Sequence, residues 1–104
     1  MDITTIHTEA LTMAREAERC YISQYGESYY CGFAWVSVNP GRNGKLRNAL
    51  KAVGFKKSWE RGWVLWNPAG NGTQSMDVKE AGAQAYAAIL RDNDIPAYAG
   101  SRAD

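Results

Sequence analysis

The chain contains little cysteine and histidine, and it has no long apolar run. Among 104 residues there are two cysteines, Cys20 and Cys31, and one histidine, His7. Two thiols do not form a disulfide framework, and we expect both to be buried in a reducing compartment. No apolar stretch approaches the length of about 18 residues that a membrane span needs, and the N-terminus lacks signal-peptide features. The sequence therefore predicts a cytoplasmic protein.

The motifs that most often carry enzymatic chemistry are also missing. There is no nucleophile elbow, no phosphate-binding P-loop and no dinucleotide fingerprint. Potential metal ligands do not cluster in sequence, and no two carboxylates are placed for acid–base work. We therefore predict no catalytic residue, no bound metal and no cofactor. A small hydrolase using His7 or a carboxylate in a cleft stays open as an alternative.

Charge is nearly balanced overall but unevenly spread along the chain. The formal net charge is +1, yet residues 42–63 hold seven lysines and arginines against the single acidic Glu60. The segments on either side are acidic. A local basic patch in a chain that is not basic overall favours a compact anionic partner over long nucleic acid.

Apolar spacing and turn residues predict one domain, over residues 1–104, which divides into a helix at 1–28 and a core at 29–104. Thr4 or Thr5 is expected to cap the first helix. The core is predicted to contain, in order, a strand, a helix, a two-stranded hairpin, a helix and an edge strand. Their predicted bounds are 29–38, 44–53, 55–59 with 63–67, Ser75 or Asp77 to Asn93, and 95–99.

The helix at 44–53 carries the clearest local signal for its end. Gly54 fits the left-handed position that follows a helix, and Phe55 can then fold back onto Leu50. This pattern predicts a Schellman motif.

The order of elements predicts an α+β fold, in which an N-terminal helix precedes a ferredoxin-like βαββαβ core with a four-stranded antiparallel sheet packed on helices. The two later helices are expected on one face of the sheet. The first helix is additional to this core, and it is expected to cover either the other face of the sheet or a partner subunit. RNA-recognition-motif domains share this order, and Arg61-Gly62-Trp63 is similar to the start of their central motif, although Leu65 stands where a second aromatic is required.

Candidate binding residues are densest around the predicted hairpin. Trp63 and Trp66 have opposite parity, so one is expected in the core and the other at solvent or a ligand. An exposed indole beside a cation can stack a base while the cation meets phosphate. The glycine-rich turn at 41–45 leads into a helix and can receive a phosphate. The candidate ligand-binding residues are Arg42, Lys45, Arg61, Trp63, Trp66, Asn71, Gln74, Ser75 and Arg102.

Several segments resemble a group of small phage and prophage accessory proteins. They are Cys31-Gly-Phe-Ala-Trp-Val36 with Pro40, Gly62-Trp63, Asn67-Pro68, Gln74 to Ala83, Ala97-Tyr98 and Ser101-Arg-Ala-Asp104. The resemblance covers residues 30–104 and leaves out the first helix. It implies a phage-encoded protein acting in a bacterial host's cytoplasm, and small phage proteins of this kind often bind and block a host component.

Taken together, these features predict a non-enzymatic binder of a small anionic, nucleotide-like ligand, such as a signal made by host defence. The ligand is expected between or beside the subunits of a homo-oligomer. Two alternatives stay open. One is a counter-defence module that blocks a host protein through its aromatic hairpin, and the other is an RRM-like binder of single-stranded nucleic acid. A membrane partner is not expected.

Overall fold

The computed structural model describes residues 2–27, 31–58, 62–70, 72 and 75–103. Within those residues the elements, in chain order, are α1 (Ile3–Tyr25), β1 (Gly32–Val38), α2 (Gly44–Ala52), β2 (Lys56–Ser58), β3 (Gly62–Trp66), α3 (Met76–Asp92) and β4 (Ala97–Ala103). The strands form one sheet in the order β2-β3-β1-β4, and every neighbouring pair is antiparallel. The predicted α+β class and four-stranded antiparallel sheet are confirmed.

The end of α2 has the predicted Schellman geometry. The Phe55 N–H donates to the Leu50 carbonyl at 3.0 Å, and the Gly54 N–H donates to the Lys51 carbonyl at 3.2 Å. Gly54 has a φ of +112°, which glycine adopts readily because it has no Cβ. The motif turns the chain sharply, so Phe55 enters the core and is only 2% exposed.

The start of α1 differs from the prediction. Asp2, rather than Thr4 or Thr5, occupies the N-cap position, and its side chain makes no capping hydrogen bond. The Ile6 N–H already donates to the Asp2 carbonyl at 3.1 Å, so both threonines lie inside the helical ladder.

The other elements are shifted in detail. Of the two predicted starts for α3, Ser75 is the cap, and its hydroxyl accepts from the Val78 N–H at 3.4 Å. The strand β4 begins later than predicted and extends to Ala103, because its pairing with β1 continues as far as Gly32 opposite Ala103. Glycine and serine have a low preference for strands, and cross-strand pairing overrides that local preference.

The sheet, α3 and α1 form successive layers. On one face of β1, Ala34, Val36 and Val38 are buried beneath the helices. The helix α3 contacts β1 and β4, and α1 packs along α3 rather than on the sheet. One of the two positions expected for the first helix, on the sheet face opposite the later helices, is therefore wrong. The opposite face of the sheet is left without a helix among the described residues.

Close packing of α1 on α3 depends on Gly82. The structure places this glycine against α1. A Cβ at Gly82 would overlap the Glu18 side chain, which is only 2% exposed. The two cysteines also differ from expectation, because Cys20 and Cys31 are both exposed.

A hydrogen-bonded pair of side chains joins α1 to α3. The His7 Nδ1 and the Tyr86 hydroxyl oxygen are 2.5 Å apart, and the two rings meet edge to face. Burial, with the nearby Arg15 guanidinium, lowers the pKa of His7 below its ordinary value of 6.5. Burial also raises the pKa of Tyr86 above its ordinary value of 10.0. Both neutral forms are therefore favoured in the folded state.

This pair predicts a loss of stability at both ends of the pH range. Below pH 6.5 the unfolded chain binds a proton at His7 that the folded chain resists, so the free energy of unfolding falls as pH drops through the lowered pKa. Above pH 10.0 the unfolded chain releases the Tyr86 proton first, so stability falls again. Urea denaturation between about pH 5 and pH 7.5 should show that His7→Gln loses less stability on acidification than the wild type does. An unchanged acid loss would contradict the assignment.

Candidate functional site

The uncovered face of the sheet carries a group of aromatic and basic side chains. Side chains alternate along β1, so the burial of Ala34 and Val36 under the helices turns Phe33 and Trp35 to the other side. Register places Trp66 of β3 opposite Trp35 on that same side. On β4, Tyr98 and Arg102 have the same parity, since they lie opposite Ser37 and Phe33. We call the surface formed by Phe33, Trp35, Trp66, Tyr98 and Arg102 the open face.

A pocket of about 490 Å³ lies on the open face, lined by Phe33, Trp35, Trp66 and Arg102. Its volume is in the range of small-molecule sites. The Phe33 and Trp66 ring centroids are 6.2 Å apart and the rings are nearly perpendicular, at 89°. The Trp35 and Trp66 centroids are 5.0 Å apart, with 56° between the ring planes. Phe33 is 47% exposed and Trp66 is 51% exposed, so both rings are available to a ligand.

Trp35 forms the floor of this pocket because its neighbour on β4 has no side chain. Gly100 lies directly opposite Trp35 in the register. A Cβ added to Gly100 would be 2.6 Å from the indole ring, so the indole fills the space that a side chain at this position would need. As a result Trp35 is only 8% exposed, although it belongs to the open face.

Among the described residues, the charged groups at the pocket are cationic. Arg102 lines it directly. At the start of β1, the Lys79 ammonium lies 5.8 Å from the Phe33 ring centroid and donates a hydrogen bond to the Gly32 carbonyl at 2.9 Å. The Glu80 carboxylate is engaged away from the pocket, where it accepts from the Ser101 hydroxyl. An anion at the rim would therefore meet positive charge, while its apolar part contacts the rings.

Of the sequence-predicted binding residues that the structure describes, two come together at the pocket. Trp66 and Arg102 both line the pocket. Trp63 lies on the helix side of the same strand, where it is partly buried against the core. The prediction that one of the two tryptophans is internal and the other exposed is therefore confirmed.

The other predicted binding residues lie elsewhere. Arg42 is exposed in the turn after β1, at the end of that strand away from the pocket. Lys45 lines a separate depression beside Asn43 at the start of α2. Ser75 is buried and caps α3. The remaining three, Arg61, Asn71 and Gln74, lie outside the described residues.

Sequence reasoning missed three aromatic residues of the open face, namely Phe33, Trp35 and Tyr98. Strand parity places Phe33 and Trp35 on one face of β1, but both faces are largely apolar, a pattern typical of a covered strand. The alternation of side chains along β1 is therefore the sequence signal that groups Phe33 with Trp35. The missing information was the position of α1, which decides which face of the sheet stays open.

Comparison of the chain with protein-family models, curated proteins and solved structures finds no match. Within the described part of the chain, no helix combines the length and apolarity needed to cross a bilayer. The same residues contain no group of three or more histidine, cysteine, aspartate or glutamate side chains that would hold a metal ion.

Proposed function

We propose that the chain is a non-enzymatic binding protein that holds a small, nucleotide-like anion in the open-face pocket. The observation that carries the proposal is the convergence of Phe33, Trp35, Trp66 and Arg102 around one pocket of about 490 Å³. Aromatic rings offer flat surfaces on which a nucleobase can stack. A guanidinium offers paired donors that match a phosphate group.

The geometry suggests a role for each side chain. Phe33 and Trp66 stand at 89° to one another, so a planar base stacked on one ring meets the other ring at its edge or face, an arrangement that aromatic groups favour. Trp35, held over Gly100, closes the bottom of the pocket against water. Arg102 on β4 then receives the anionic group at the rim.

We infer from the resemblance to small phage and prophage proteins that this protein is phage-encoded and acts in a bacterial cytoplasm. A ligand made by host defence would there be sequestered by the pocket. The segments that carry the resemblance include Cys31 to Val36 and Ser101 to Asp104. These segments supply Phe33, Trp35 and Arg102, which supports a link between the shared residues and the pocket.

We also infer that the core belongs to the ferredoxin-like class. Two observations support this assignment. After α1, the elements follow the order strand, helix, strand, strand, helix, strand. In the sheet, β1 and β3 are central, and β2 and β4 are at the edges.

The proposal predicts a specific loss of nucleotide binding. Trp66→Ala should weaken binding of adenosine monophosphate or of a cyclic dinucleotide by about 1–3 kcal/mol, because one stacking surface is lost. Arg102→Gln should weaken the binding of phosphate-bearing ligands and leave the binding of the free nucleoside unchanged. Tryptophan fluorescence titration and calorimetry with this panel measure both effects.

Two matched variants serve as controls. Tyr25→Ala removes a ring that is 69% exposed on α1, and Arg42→Gln removes an exposed arginine at the other end of β1. Both should bind as the wild type does. The proposal is wrong if no ligand of the panel binds, or if the control variants lose as much affinity as Trp66→Ala and Arg102→Gln.

Binding of single-stranded nucleic acid is a second candidate, and a separate observation favours it. Tyr98 is 65% exposed on the open face beyond the pocket lining, so successive bases of one strand could stack on more than one site. This candidate predicts that a short oligothymidylate binds more tightly than a mononucleotide, with affinity that falls steeply as salt is raised. Equal affinity for both ligands would exclude it.

A further inference from the structure

The strand β4 presents an outer edge that is unprotected apart from the Arg91 side chain at Ala97. It has β1 on one side, and no described strand pairs with its other side. Natural sheets protect such edges by short strands, lysines, prolines or bulges. The opposite edge strand, β2, has three residues and includes Lys56 and Lys57. By contrast, β4 has seven residues and its single charged side chain is Arg102, near its end.

The hydrogen bonds of β1 show which groups of β4 face outward. The Asn67 N–H donates to the Ala34 carbonyl at 2.9 Å, so Ala34 directs its backbone groups toward β3. Backbone direction alternates along a strand, so Trp35 directs its groups toward β4. Its partner there is Gly100. Gly100 therefore bonds inward to β1, and the residues on either side of it point their N–H and C=O groups outward.

A side-chain contact agrees with this alternation. Ala97 has the outward parity, and its carbonyl accepts a hydrogen bond from Arg91 Nη1 at 2.8 Å, outside the ladder with β1. Ala99 and Ser101 have the same parity as Ala97. Their backbone N–H and C=O groups therefore form an edge that another strand can pair with.

We propose that this edge pairs, antiparallel, with β4 of a second copy of the same chain, about a two-fold axis at Gly100. Gly100 is the midpoint of Ala97–Ala103, so this register sets every residue of the strand opposite a residue of the partner strand. Its hydrogen-bonded centre lies between Ala97 and Ala103, because Arg91 already occupies the Ala97 carbonyl. It sets Ala99 opposite the partner's Ser101, where both residues have outward groups and can exchange their backbone hydrogen bonds. The two-fold axis repeats the same pair, which makes the contact self-complementary.

The same register joins complementary side chains on the open face. Arg102 faces the partner's Tyr98 at a non-hydrogen-bonded pair, where side chains of neighbouring strands are closest. A guanidinium against a phenol ring is a favourable cation–π contact. Because Arg102 lines the pocket, the partner's Tyr98 becomes a further aromatic wall of it. The two sheets then form one continuous surface, and the assembly itself does not depend on a bound ligand.

Sedimentation equilibrium of the full chain without nucleotide tests the proposal. An interface made by one strand is small, so we expect a dimer that dissociates on dilution. Tyr98→Lys places a positive charge opposite the partner's Arg102 at both symmetric positions, whereas Tyr98→Glu places an attractive charge there. The dissociation constant of Tyr98→Lys should exceed that of Tyr98→Glu by about tenfold or more. Tyr98 is 65% exposed, so the folded monomer accepts either side chain.

A proline at Ala99 gives an independent test. Its N–H points away from β1, so Ala99→Pro removes a donor of the interface and none of the ladder inside the monomer. We expect this variant to be folded by circular dichroism and monomeric in sedimentation. A wild-type chain that stays monomeric at millimolar concentration overturns the proposal. So does a dimer that Tyr98→Lys, Tyr98→Glu and a folded Ala99→Pro all leave unchanged.

Discussion

Gly100→Val is expected to lower the free energy of unfolding by about 1–3 kcal/mol, the usual effect of overfilling a packed site. Local preference predicts the opposite, because valine favours strands and glycine does not. The structure decides between them. A Cβ at Gly100 would be 2.6 Å from the Trp35 ring, and a rigid indole that is only 8% exposed cannot turn aside without disturbing its neighbours. Displacement of Trp35 should also abolish nucleotide binding, because the pocket loses its floor.

A double-mutant cycle isolates this contact. Trp35→Ala alone leaves a gap over the glycine, and Gly100→Val in that background has room for its side chain. We therefore expect the valine to be much less destabilising in the Trp35→Ala chain than in the wild type, as measured by urea denaturation. Simple additivity of the two effects would show that the indole is not what excludes a side chain at Gly100.

Tyr86→Ala is expected to have the largest effect on stability, about 3–5 kcal/mol, as for other large aromatic residues truncated in a core. Tyr86 is 1% exposed, and its ring contacts His7 of α1 and Phe55, with centroid separations of 5.7 Å and 6.2 Å. A loss of this size approaches the whole stability of a small domain. We therefore expect Tyr86→Ala to be largely unfolded at room temperature.

Tyr86→Phe separates the ring from the hydroxyl. It keeps the packing and removes the hydrogen bond to His7, so the expected loss is about 0.5–1.5 kcal/mol. Because that bond joins α1 to α3, hydrogen exchange should quicken in α1 more than in β1. Equal stability of Tyr86→Phe and Tyr86→Ala would mean that the buried ring contributes little, which contradicts the packing described above.

The features that sequence predicted well are those fixed by neighbouring residues. The Schellman ending at Gly54 and Phe55 depends on a few consecutive positions, and the structure reproduces it. The opposite parity of Trp63 and Trp66 follows from strand geometry alone, and it also holds. Trp66 and Arg102, two of the candidate binding residues predicted from sequence, line the same pocket although they lie on different strands.

The features that sequence did not predict depend on contacts between distant segments. The docking of α1 on α3 fixes which face of the sheet is open, and the apolar stripe of α1 fits either partner. For the same reason, the largely apolar faces of β1 do not show that the face with Phe33 and Trp35 is the one left uncovered. Charge density along the chain was a poor guide to the pocket, because Arg42 and Lys45 follow β1 at its far end.

The close pair of indoles on the open face also gives the protein a spectroscopic label of its own. Trp35 and Trp66 have ring centroids 5.0 Å apart and planes inclined at 56°. Two indoles so close and mutually tilted share their electronic excitation, which produces a paired positive and negative band in far-ultraviolet circular dichroism. A ligand that separates or reorients the rings should change that band pair, so occupancy of the open face can be followed without any added dye.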